Sequence, residues 1–174
     1  MVSNKLSKEG MGYVICNCLS KVIDLFVSTF LVAYLLNLSN GNFFQVSLYY
    51  VFVYFGMMVF YTIASKYLHR INKLVFYRIS ILSKCVFLIS ITLLGDNIVN
   101  YVIPIAVFYS ILTSLYWASY NAMIGEAISS KNTQKFYGLY NIYGYIMNIV
   151  APLVLGSAIE MGSFIKTSVY ATIV

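Results

Sequence analysis

Lys21 and Asp24 stand three residues apart in CNCLSKVIDLF, a cation and a carboxylate inside an otherwise apolar run. Such a pair can neutralise itself, line the pathway of a small solute, or carry a proton. Lys84, in the middle of a later apolar run, is a second possible partner for the carboxylate. At 100° per residue Asn17, Lys21, Asp24 and Ser28 fall within an arc of roughly 60°, so a helix here carries one polar stripe. The same spacing puts Ser110, Thr113, Ser114, Trp117 and Asn121 on one face of roughly 100°. Further along, Tyr137, Asn141, Gly144 and Asn148 align, as do Tyr50, Tyr54 and Tyr61. Four helices with such faces could surround a watery, aromatic-lined cavity for a small solute.

Other chemistry is poorly served. Cys16 and Cys18, two apart on a helix, point to nearly opposite sides and cannot share a metal, and Cys85 lies in a separate run. His69 is the single histidine, and no zinc, haem or nucleophile–base spacing occurs. The expectation is therefore no enzyme, no cofactor and no metal.

The elements that must position these residues follow from composition. Of 174 residues 61% are hydrophobic and 9% charged, against about a quarter charged in a soluble domain. The apolar residues form blocks at about 13–36, 43–65, 74–94, 101–125 and 136–159, each close to the length of about 20 residues that crosses a bilayer. A sixth block opens at 167–174, where the chain stops. Spans of this length must be helices, because lipid offers no partner to free backbone groups. The expected fold is an all-α polytopic membrane bundle of five transmembrane helices plus the start of a sixth.

The first of these spans bears an unusual load. A Lys or Asp at a span centre costs about 2.5–3.5 kcal/mol, while each Leu, Ile, Val or Phe returns roughly 0.3–0.6. Two charges leave that helix marginal for insertion, so they should face protein or water rather than lipid. The bland alternative is that Lys21 and Asp24 neutralise each other while Lys21 snorkels toward the headgroups. Gly144 and Asn148 could likewise serve close helix packing.

The basic connection SKYLHRINK, between the second and third blocks, resembles the loop signature of the major facilitator superfamily, Gly-x-x-x-Asp-Arg-x-Gly-Arg. Ser65 stands for the first Gly, His69 for Asp, Arg70 for Arg, Asn72 for the second Gly and Lys73 for the last basic residue. GLYNIYGYIMNIVAPLVLG in the fifth block is similar to that family's glycine–proline signature at Gly138, Pro152 and Gly156, with Met147, Ala151 and Leu155 in place of glycines. YWASYNAMIGE in the fourth resembles a bacterial permease branch.

The resemblance implies a secondary transporter of two six-helix halves, this chain being the amino-terminal one. Its substrate, a small solute, would bind between the halves, with the basic loop at the cytoplasmic gate. The partners implied are the lipid bilayer, the solute and the missing carboxyl-terminal half. The competing reading is a permease-like accessory, sensor or immunity protein. Basic residues scattered over separate loops make nucleic acid a poor partner.

Lys and Arg also set the orientation, because cytoplasmic loops carry them in excess. Lys5 and Lys8 precede the first block, Lys66, Arg70, Lys73 and Arg78 surround the second connection, and Lys131 and Lys135 flank the fourth. A multi-pass protein of the cell membrane with a cytoplasmic amino terminus is expected. Reporter fusions at Asn40 and Asn97 should therefore read outside and a fusion at Lys131 inside, and the opposite pattern would overturn the orientation.

Overall fold

An apolar chain in lipid satisfies its backbone within each helix, and the computed structural model of the protein is built that way. It describes residues 8–68, 72–127 and 133–161, which are almost entirely helical and contain no strand. The elements are α1 (Lys8–Leu25), a π-helical turn (Phe26–Leu31), α2 (Val32–Leu38), α3 (Phe43–Leu68), α4 (Lys73–Leu94), a 3-10 segment (Gly95–Tyr101), α5 (Val102–Ala127) and α6 (Thr133–Met161).

Four apolar helical stretches are long enough to cross a membrane: Val14–Leu38, Phe43–Leu68, Val75–Gly125 and Phe136–Ser157. This differs from the expected five spans plus the opening of a sixth. The expected third and fourth spans, 74–94 and 101–125, fall within one stretch because their connection is itself helical and its only charge is Asp96. Gly95, with φ of 50°, turns the chain there in a conformation that suits glycine. The expected sixth block, 167–174, lies outside the described residues, as do His69 and Arg70.

The turn after α2 shows how local sequence ends one helix and starts the next. Asn40 and Gly41 take positive φ values of 52° and 78°, and the Gly41 N–H donates to the Leu36 carbonyl at 2.9 Å. That geometry closes the helix end with residues that tolerate the left-handed region. The Asn42 side chain then accepts from the Phe44 N–H at 3.0 Å, capping the first turn of α3.

α5 is the central helix, packed on α3, α4 and α1, while α6 lies against α1. α3 and α5 approach closely at Gly56, where any Cβ would collide with the buried Ser110 side chain. The apolar core has two main parts, with a small third cluster of Ala64, Leu68 and Ala118 between α3 and α5. One contains Phe26, Leu31, Tyr49, Phe87, Leu88 and Ala106. The other contains Val14, Tyr77, Tyr116, Tyr120 and Phe136. Along α1, α4 and α5 the boundary between the two parts falls at Ser20–Asp24, Lys84 and Tyr109–Tyr116, which form a polar layer. The outward faces carry Val51, Phe55, Met58, Leu82, Val86, Leu93, Ile149 and Leu153, all exposed and apolar.

Candidate functional site

Lys84 is the buried charge around which the polar layer is arranged. Its side chain is 1% exposed, and its ammonium lies 2.8 Å and 3.0 Å from the two carboxylate oxygens of Asp24. It also donates to Ser20 Oγ at 2.7 Å and sits 4.0 Å from the centroid of the Tyr116 ring. The Tyr109 hydroxyl completes the group, donating to Asp24 Oδ1 at 3.3 Å. Burying an ammonium is costly unless a counter-charge and hydrogen bonds surround it, and these four side chains supply both.

Of the two cations the sequence offered to Asp24, Lys84 is the partner, and the alternative in which Lys21 neutralises it does not hold. No carboxylate stands within 4.0 Å of the Lys21 ammonium among the described residues. Helix geometry gives the reason. Ser20, four residues before Asp24, lies roughly 40° to one side of it, and Lys21 lies roughly 60° to the other. α4 receives the Ser20–Asp24 side and α6 the Lys21 side. The Lys21 ammonium is 5.5 Å from the Tyr140 ring centroid and rests on Gly144, where an added Cβ would strike it.

A cavity of about 300 Å³ opens beside the pair. Lys21, Asp24 and Ser28 line it from the first helical rod, Tyr50 and Tyr54 from α3, Thr113 and Trp117 from α5, and Asn148 from α6. Four predicted faces therefore converge on one space. Asp24 is 25% exposed, so the carboxylate touches the cavity while Lys84 behind it does not.

The remaining candidates are elsewhere. Asn17 is buried and accepts a hydrogen bond from the Tyr116 hydroxyl at 3.1 Å. Asn121 is exposed and donates to the Tyr61 hydroxyl at 3.4 Å, and Asn141 is exposed on α6. Ser65, half-buried near the end of α3, borders a separate shallow recess with Tyr61, Thr62 and Lys66, and Lys73 opens α4. Gly138 and Gly156 face open space rather than a neighbouring helix. Pro152 lies inside α6, where it has no N–H to give the carbonyl of Asn148.

Sequence reasoning ranked Lys84 only as an alternative partner and missed Ser20, Tyr49 and Tyr109. The four-residue spacing of Ser20 and Asp24 was the available signal for the direction of the carboxylate. Nothing in the sequence marked Tyr109 among 17 tyrosines. The π-helical turn at Phe26–Leu31 was also illegible. It begins two residues after Asp24, and within it the Ser28 carbonyl accepts from the Tyr50 hydroxyl at 3.1 Å. Single π turns inside α-helices often mark functional places.

In comparisons with known proteins, the chain matches no family model, no curated protein and no solved structure.

The geometry predicts unequal roles for the two lysines. Lys84→Met, which strands a partly buried carboxylate, should cost about 3–5 kcal/mol. Lys21→Met, which removes only a ring contact, should cost no more than about 1 kcal/mol. Thermal melts of the purified variants in one detergent check the order, and equal losses would refute it.

Proposed function

We propose that the protein is one bundle of a membrane permease that moves a small solute by alternating access, as its resemblance to the major facilitator superfamily implies. The observation that carries this reading is the cavity beside Asp24, with polar and aromatic side chains converging from four separately predicted faces. Such a space, lined by the charged side chains of Lys21 and Asp24 deep in apolar helices, is what a solute pathway needs, because intramembrane charges are costly unless they face protein or water.

Five crossings fit this reading. The stretch Val75–Gly125 has 51 residues; as one straight helix it would run about 75 Å, far beyond a hydrocarbon core of about 30 Å. It holds two helices whose side chains pack together, with Phe87 ring centroids 5.1 Å from Tyr109 and 5.8 Å from Phe108. A hairpin turning at Gly95 crosses the membrane twice and keeps the cytoplasmic amino terminus that the basic loops favour. The facing wall of the pathway is then a second bundle of like construction. Ser28, Tyr54 and Asn148, exposed around the cavity, lie on the side such a bundle would cover.

Alternating access has a direct test that needs no knowledge of the solute. With Cys16, Cys18 and Cys85 replaced by Ser, single cysteines at Ser28, Tyr54 and Asn148 should react with a membrane-impermeant thiol reagent in intact cells and also in inverted vesicles. Leu82→Cys, on the apolar outer face, should react in neither. Labelling of the cavity positions from one side alone would favour a fixed accessory or sensor protein and remove the permease.

A further inference from the structure

The charges around the cavity do not cancel, and the excess has a sign. Asp24 is matched by Lys84, which holds both of its oxygens. Lys21 lines the same space without a carboxylate within 4.0 Å among the described residues. The three side chains therefore sum to one positive charge. A cation entering the cavity would meet a carboxylate already occupied and an ammonium that repels it. An anion would meet the Lys21 ammonium beside a carboxylate whose charge Lys84 already balances.

The other side chains that line the cavity suit a carboxylate on a ring-sized apolar body. Tyr49 also lines the cavity; the residue is 1% exposed, and its hydroxyl makes no hydrogen bond among the described residues. A buried hydroxyl without a partner is costly and suits a ligand that can supply one. The Asn148 side chain, one turn beyond Gly144, is a second potential donor. Trp117, Tyr50 and Tyr54 present aromatic surface, with the Tyr50 and Tyr54 rings stacked at 5.9 Å between centroids. The volume of about 300 Å³ is at the low end for small-molecule sites.

We infer that the cavity binds a small monoanionic solute, a carboxylate on a ring-sized apolar body, with Lys21 as its counter-ion. This deepens the permease reading by giving its substrate class, and rests on it for the word substrate, but binding is testable by itself. Gly144 positions the cation: with no side chain of its own, it lets the Lys21 ammonium lie along α6 at the cavity wall.

Trp117 is the protein's single tryptophan and lines the cavity, so its fluorescence reports occupancy. The full chain in neutral-lipid nanodiscs would be titrated with benzoate, benzyl alcohol and benzylammonium, which share a body and differ in charge. Benzoate should saturate at a concentration at least about tenfold below the other two, a difference charge-assisted hydrogen bonding supports. Lys21→Gln should weaken benzoate by at least about tenfold and leave benzyl alcohol unchanged, while Lys21→Arg retains the preference. Gly144→Ala, which displaces the ammonium without removing it, should alter benzoate affinity alone.

Preference for benzylammonium, an unchanged benzoate affinity in folded Lys21→Gln, or no saturable response to any of the three probes would overturn the inference. Saturable benzoate binding without two-sided cavity labelling would leave this site standing and fell the permease. Two-sided labelling with a preference for the ammonium would do the reverse.

Discussion

An ammonium group enclosed by apolar helices has to be met by a counter-charge and by acceptors, or the helices will not close around it. Lys84 sets that condition here. Asp24 and Ser20 on α1 come to it from one side and the Tyr116 ring from α5 on another, so the pair ties together three helices at a single depth. The two main parts of the apolar core lie on either side of this layer. Their packing is non-directional and would tolerate sliding or rotation of one helix on its neighbour. The ion pair fixes the register, because a shift of even one residue along α4 would remove the ammonium from the carboxylate.

Fixing Asp24 against α4 has a second consequence on the neighbouring flank of α1, roughly 60° round the helix. Lys21 is directed to α6, where Gly144 leaves room for it, and the cavity forms along the faces between. Two features soften the surrounding backbone. The π-helical turn widens the first rod just beyond Asp24, and Pro152 breaks the hydrogen-bond ladder of α6 at the carbonyl of Asn148. Both border the cavity, and helices change direction most readily at such places. In the permease we propose, motion would be concentrated there rather than in the tightly packed contact of Gly56 with Ser110.

Much of this was legible in the sequence, for physical reasons. Lipid leaves the backbone no choice but helix, so block lengths located the helices, and the NLSNGN turn residues located the first connection. The polar faces were found by helical angle alone, and eight of their members do line one cavity. What the sequence left open was pairing. Lys21 and Asp24 are neighbours along the chain, yet a helix directs them to different sides, and only the packing of α4 and α6 decides which partner each meets. The break between the third and fourth blocks, expected between 94 and 101, stands at Gly95–Tyr101, but its 3-10 conformation was not legible, because a segment with one charge blends into the apolar runs around it. Asn17 was taken for a cavity residue because it shares the arc of the stripe, but two turns below Asp24 along α1 the space is already filled by Tyr116.

Asp24 pairs with Lys84 and not with Lys21. Charge exchange tests it most directly. Asp24→Lys combined with Lys84→Asp reverses the pair while preserving it, and this protein should purify as a monodisperse species melting near the parent. Asp24→Lys combined with Lys21→Asp leaves two cations facing each other across α1 and α4, and it should aggregate or melt far lower. Recovery in the second exchange and collapse in the first would contradict the account.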